Sequence, residues 1–314
     1  MLRTGVIGAG YLGKFHAQKY ARLASSHLVG VADINETCGQ QVASNCNTRY
    51  FSDYRDLIGQ VDAVSVVVPT VMHHSIASDF LSSGVHVLVE KPIASNLSQA
   101  EEMIKLAREQ QLILQVGFLE RYNAALGSVA DKVEQPRFIE SHRLASFKPR
   151  SMDINVIMDL MIHDLDIILN MVNSPIVDIA ANGSAVLSET LDIAQARLSF
   201  ANGCVANVTA SRISQKSKRK MRIFQKRACI CVDFQALKVS HFFQGEGELH
   251  PGIPAIECQE QSYQGSDALS LEIEDFLLSV AASSPPKVSG EDGRDALQAA
   301  NRIAEIIAKT GISL

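Results

Sequence analysis

No two cysteines in this 314-residue chain stand at CxxC spacing, although six are present, at positions 38, 46, 204, 229, 231 and 258. The pattern supports neither a zinc site nor a disulfide framework and suits reduced thiols in a reducing compartment. Cys229 and Cys231, in the apolar run "ACICVDF", are expected to share a buried strand face. No run approaches the ~18 apolar residues of a membrane helix. The chain opens on "LRTGVIGAG", without the basic region and long apolar core of a signal peptide. Positive charge is also scarce: a net charge of -5 offers nucleic acid no basic surface. Internal repeats and low-complexity tracts are missing. These absences leave a cytoplasmic, well-packed protein of enzyme size, 46% hydrophobic and 20% charged, long enough for two domains.

The first third alternates strand and helix patterns. "TGVIGAG", "HLVGVADI", "VDAVSVVVPT", "VHVLVEKP" and "LILQVGFL" are strand-like, and helical spacing fills the gaps between them. "VDAVSVVV" is too apolar to have a wet face, which places it centrally in a parallel sheet. Regular alternation with short links predicts a doubly wound parallel sheet. Gly8-Ala9-Gly10-Tyr11-Leu12-Gly13 forms GxGxxG between the first strand and helix, and Asp33 follows Gly13 by twenty residues. That combination is the dinucleotide fingerprint. Gly8 permits the turn, Gly10 lets the pyrophosphate approach, Gly13 permits close helix packing, and the helix N-terminus meets the phosphate charge. Asp33 is expected to accept hydrogen bonds from the ribose hydroxyls and to repel a 2′-phosphate, which favours NAD over NADP.

Ligands of such sheets bind beyond the carboxyl ends of the strands. Two ends stand out here: Pro69-Thr70, followed by His73, and Glu90-Lys91-Pro92. Pro92 biases Lys91 toward an extended conformation at the mouth of the cleft. His73 is expected to serve the cofactor or the cleft.

Further along, "DLMIHDLDIILN" puts Asp159, His163, Asp166 and Asn170 on one stripe of an otherwise apolar helix, at about 100° per residue. Solvated helix faces favour Lys, Glu, Arg and Gln, and this one has none of them. Composition alone leaves a solvent face and a polar cleft both open. A metal bound by Asp159, His163 and Asp166 is a third reading, with no further ligand set nearby.

With GxGxxG, the Pro-Thr strand end, Glu-Lys-Pro and "DLMIHDLD" together, the chain resembles the Gfo/Idh/MocA oxidoreductases over nearly its whole length. The resemblance implies an NAD-binding Rossmann domain, set at residues 1–120. It also implies a substrate-binding and oligomerising α/β domain with a large open, mostly antiparallel sheet, set at 121–314. It assigns no metal, and it turns the polar stripe toward nicotinamide and sugar. Lys91, Asp159 and His163 take the family's catalytic positions. His163 is the expected acid/base, Lys91 the group that stabilises charge on the reacting oxygen, and Asp159 the group that positions substrate. Lys91 acting as base through a relay stays open.

Arg121 and Tyr122, Arg143, Lys148 and Arg150, Asn155 and Arg212 are candidate substrate contacts, because a nucleotide-sugar diphosphate needs cations and a free sugar needs few. The basic run "KSKRKMR" (216–222) is expected to be a solvated loop. "LQVGFLERYN" and "ASRIS" bring the resemblance closer to the branch that oxidises the 3-hydroxyl of UDP-N-acetylglucosamine for lipid A precursors, with a transaminase acting next. Phe118 and Ala124 depart from that branch, where a polar residue and a proline are expected. A dehydrogenase of another sugar, inositol or polyol, and a non-catalytic sensor, are the alternatives. The outer face of an open sheet must be covered or polar, which points to a homo-oligomer.

Overall fold

The computed structural model describes residues 1–147, 154–265 and 267–309. The chain divides into two compact units, Met1–Leu119 with Asp267–Leu297, and Glu120–Ser266 with Gln298–Leu314.

The first unit holds six parallel strands: β1 (Leu2–Ile7), β2 (Ser26–Ala32), β3 (Arg49–Phe51), β4 (Ala63–Val66), β5 (His86–Glu90) and β6 (Leu114–Gly117). Their order is β3-β2-β1-β4-β5-β6. The five expected strands are all there, and the three-residue β3 joins them at the edge, too short to show a pattern in the sequence. All four residues of β4 are buried, as its position between β1 and β5 requires. Helices α1 (Gly13–Tyr20), α2 (Glu36–Asn45), α3 (His73–Ser82) and α4 (Leu97–Glu109) connect the strands. Asn35 and Asn96 cap α2 and α4, accepting from the amides of Cys38 and Gln99. The strand order reverses between β1 and β4, and at that point a parallel sheet opens a crevice for ligands.

The second unit carries α5 (Ala124–Gly127), β7 (Phe138–Leu144), α6 (Ile162–Val172), β8 (Ile176–Ser184), β9 (Ile193–Phe200), β10 (Val205–Ser211), β11 (Lys218–Gln225), β12 (Ala228–Asp233), β13 (Lys238–His250) and β14 (Ile253–Ser262). Its eight strands run in the order β14-β13-β12-β11-β7-β10-β9-β8, antiparallel except for the β7–β10 pair. Burial alternates along β9, where Ala194, Ala196 and Leu198 are buried and Gln195 and Arg197 exposed, so one face of the sheet is core. Helix α6 packs on β7 and β10.

Three expectations change. The basic run is strand β11 rather than a loop, with Arg222 paired to Glu140 and Lys220 to Asp233 across the sheet at 2.9 Å each. Cross-strand carboxylates neutralise it where the sequence showed only neighbours of like charge. Cys229 and Cys231 do share a face of β12, but it is the half-exposed one. The buried face carries Ile230 and Val232, and both thiols are free. The tail is not wholly part of the second unit. Helix α7 (Ala268–Ala282) packs with the first, burying Ile273, Phe276, Leu277 and Val280 in one core cluster with Val6, Ala17, Tyr20 and Val31. Burial of each such side chain contributes about 1.5–3 kcal/mol, enough to draw the helix back to the Rossmann sheet. The last helix is α8 (Gly290–Lys309), and no helix among the described residues is long and apolar enough to cross a membrane.

Phe276→Ala is expected to lower the unfolding free energy by about 3–5 kcal/mol in a urea titration. A loss below about 1 kcal/mol would mean that α7 is not part of that core.

Candidate active site

The glycine turn sits at the crevice. Gly8 has φ +98°, and a β-carbon there would stand 2.3 Å from the carbonyl oxygen of Val67, beyond β4. A β-carbon on Gly13 would meet the Gly8 carbonyl oxygen at 1.8 Å. Gly10 differs, since a β-carbon there meets nothing within 4 Å. Two glycines are thus demanded by the protein itself, and the third leaves space for a ligand. The Asp33 carboxylate braces the turn by accepting the amide N–H of Ala9 at 2.5 Å and that of Asn35 at 2.7 Å. Each of its oxygens keeps lone-pair capacity for a ribose hydroxyl.

Around these groups lies a cavity of about 790 Å³, lined by Gly8, Gly10, Asp33, Asp53, Arg55 and Pro69 among others. Its size and the glycine cradle suit a dinucleotide. Tyr11 and Leu12 are exposed, and Thr70 begins a single 3₁₀ turn, Thr70–Met72. Arg55 went unnoticed in the sequence because it follows the short β3. Asp53 and Asp79 stand 3.4 and 3.8 Å from its guanidinium and offset its charge.

The second strand end is held from behind. Lys91 is half-buried and joined to Pro92 by a cis peptide. The main-chain N–H of Lys91 donates to Glu90 Oε2 at 3.2 Å. His73 is almost fully buried, with Nδ1 2.9 Å from the Pro92 carbonyl and Nε2 2.9 Å from that of Val68. Burial lowers the pKa of His73 from its ordinary value, more than the carbonyls raise it. His73 therefore links the two loops as part of the scaffold.

In the second unit the expected helix begins as a π turn, Ile157–Met161, and continues as α6. Such turns recur at functional sites. Asn155 caps it, accepting the amides of Ile157 and Met158 at 3.1 and 3.0 Å, so the expected substrate contact is an N-cap. Asp159 lies in the π turn and His163 at the start of α6, both half-buried. The polar stripe breaks up beyond them. Asp166 is buried with its Oδ2 3.2 Å from Arg121 Nε, and Asn170 is exposed. Among the described residues, the three acid or imidazole groups that come within 4.8 Å of one another are His16, Glu90 and Glu272, not Asp159, His163 and Asp166.

The candidate phosphate-binding cations have carboxylates of their own. Arg143, buried, grips Asp164 through two hydrogen bonds of 3.1 and 2.9 Å and Glu120 through a third of 2.7 Å. Burial works against its charge, and the two carboxylates more than offset that. Arg212, also buried, donates to Asp192 at 2.8 Å and to the Ile154 carbonyl at 2.7 Å. Each guanidinium thus has a structural role that requires no phosphate. Tyr122 and Phe118 are buried, and Lys148 and Arg150 lie outside the described residues.

Two family descriptions match the chain: "Oxidoreductase family, NAD-binding Rossmann fold" over residues 2–118, and the GFO/IDH/MocA C-terminal domain over 133–231. The UDP-N-acetylglucosamine 3-dehydrogenase of Acidithiobacillus ferrooxidans is 42% identical over 303 residues, 96% of each chain. A solved structure of that enzyme superimposes with a TM-score of 0.93 at 41% identity over 98% of each chain. The myo-inositol 2-dehydrogenase of Thermotoga maritima is 25% identical over 315 residues, 94% of this chain and 93% of that one.

Gly10→Ala is expected to keep the melting temperature and weaken NAD binding, whereas Gly13→Ala is expected to lower the melting temperature itself. Thermal melts and NAD titrations check both. Burial would raise the Asp192 pKa, but the amide of Leu187, with Arg212, Ser188 and the amide of Val186, holds it well below the usual carboxylate range. A depressed folded-state pKa stabilises above the unfolded value, and that contribution is lost as pH falls through the folded one. Asp192→Asn should therefore cost about 3–5 kcal/mol at neutral pH and progressively less on acidification, by urea denaturation at a series of pH values.

Proposed function

The chain belongs to the Gfo/Idh/MocA family of oxidoreductases, and from that premise we propose that it oxidises the 3-hydroxyl of UDP-N-acetylglucosamine to the 3-keto sugar. It is an NAD-binding enzyme of that family. The carrying observation for the substrate is the 42% identity to a UDP-N-acetylglucosamine 3-dehydrogenase across 96% of both chains.

Bound NAD supplies the hydride acceptor for the reaction. The chain supplies the rest. Gly8, Gly10 and Gly13 admit the pyrophosphate to the N-terminus of α1, and Asp33 orders the ribose. In our reading His163 removes the proton of the reacting hydroxyl, since imidazole is matched to proton transfer near neutral pH. Lys91 donates a hydrogen bond to the oxygen on which negative charge develops. Asp159, four residues before His163, orients the sugar. The buried pairs Arg121–Asp166, Arg143–Asp164–Glu120 and Arg212–Asp192 fix the frame that carries Asp159 and His163.

A 3-keto sugar is a substrate for an aminotransferase, so we place a transaminase next in sequence, in the supply of amino-substituted lipid A precursors. We place the enzyme in the cytoplasm, in keeping with its free thiols, as a homo-oligomer joined through the open sheet. The carboxylate partners of Arg121, Arg143 and Arg212 favour one second reading, a dehydrogenase of an uncharged sugar or inositol, which needs no phosphate-binding cation.

The test is NADH absorbance on mixing protein and NAD with UDP-sugars, free sugars and inositols, with and without a glutamate-dependent transaminase. Turnover is expected with UDP-N-acetylglucosamine, and Lys91→Ala and His163→Ala should each lower kcat by about 10²–10⁴-fold while NAD still binds. Turnover confined to a free sugar or inositol would replace the substrate reading. NAD binding without turnover of any of them would point to a sensor.

A further inference from the structure

One buried acid has no place in the chemistry above. Glu272, on α7, is fully buried, and no donor group reaches either oxygen of its carboxyl group. It faces Glu90 of β5 and His16 of α1, with one donor atom of each residue within 4.8 Å of the others. Glu90 is already engaged on both sides. Its Oε1 lies 3.3 Å from His16 Nε2, and its Oε2 accepts the main-chain N–H of Lys91. Behind His16 the polar chain continues: Nδ1 is 3.2 Å from Ser65 Oγ, which is 2.8 Å from the Tyr20 hydroxyl. All of these groups belong to the first unit.

The charge balance decides what Glu272 is. Besides His16, the charged groups acting on it are Glu90 across the cluster and Asp275 on its own helix, both acidic. A second carboxyl group at this range disfavours ionisation of the buried one. Burial, then Glu90, then Asp275 push the Glu272 carboxyl to keep its proton, and Glu90 is the less buried of the two. A neutral acid is a hydrogen-bond donor, and the nearest carboxylate acceptor is Glu90.

We infer that Glu272 is a positioning residue for the reaction: as a neutral acid it shares its proton with Glu90 and so fixes the main chain that carries Lys91. The inference rests on Lys91 serving hydride transfer as proposed above. Helix α7, distant in sequence from the Lys91 turn, then reaches the site through one proton. A Gln at 272 preserves size and a donor, whereas Leu preserves size and removes the donor.

The proton is tested on the NAD-loaded enzyme by the infrared difference spectrum of wild type minus E272Q, where the carbonyl stretch of a protonated carboxylic acid is expected at neutral pH. The role is tested by steady-state kinetics with NAD and UDP-N-acetylglucosamine. E272L should lower kcat by about 10–100-fold, as loss of an outer-shell partner does, with the KM for NAD within about twofold of wild type. E272Q should recover most of that kcat. Absence of the band overturns the proton, and E272Q as impaired as E272L, or E272L as active as wild type, overturns the role. A divalent metal retained stoichiometrically by wild type and lost by E272Q also overturns the proposal, since the same three groups would then be ligands. A persistent band while Lys91→Ala keeps full turnover overturns the role through the parent reading and leaves the proton standing.

Discussion

A β-carbon on Gly13 would stand 1.8 Å from the carbonyl oxygen of Gly8, and one on Gly8 would stand 2.3 Å from that of Val67. Three pieces of chain meet there at main-chain contact distance: the end of β1, the start of α1 and the residue following β4. A cavity lies beside β1 and β4, and a β-carbon on Gly10 would meet no protein atom within 4 Å. Asp33 strengthens the arrangement by accepting two amides while keeping lone-pair capacity for a further donor. This is why a dinucleotide site is so economical in residues.

The second unit solves a different problem. It must hold a half-buried carboxylate and imidazole on an apolar helix while keeping several other charges out of water. It does so by giving each buried guanidinium its own carboxylate: Arg121 with Asp166, Arg143 with Asp164 and Glu120, Arg212 with Asp192. Such pairs contribute little net stability compared with apolar packing, but breaking one leaves an uncompensated buried charge. The arrangement of these buried charges is therefore specified more by the penalty for mispairing than by attraction. The π turn at Ile157–Met161 adds a local departure from α geometry in the same place.

Both units put an unusual amount of polar chemistry behind the groups expected to meet ligands. His73 ties the loop after β4 to the loop after β5 by way of two carbonyls, and Glu90 ties the Lys91 main chain to His16. Rigid support of this kind is what allows a single lysine or histidine to act at a defined distance.

Local pattern carried much of this protein. The period of apolar residues marked five of the six parallel strands, the glycine spacing with Asp33 marked the cofactor turn, and Glu-Lys-Pro with the Asp159–His163 helix marked the family. These signals are legible because each lies within a few residues and reports a backbone requirement. Which carboxylate each buried arginine met, which face of β12 was buried, and to which unit α7 returned were decided only in the tertiary structure. The π turn and the Glu272–Glu90–His16 cluster belong with them. Glu272 looks in sequence like one more polar residue of an amphipathic helix. Its character comes from two residues more than 180 positions away, and pairing at that distance depends on the packing of the whole unit and leaves no mark on the local chain.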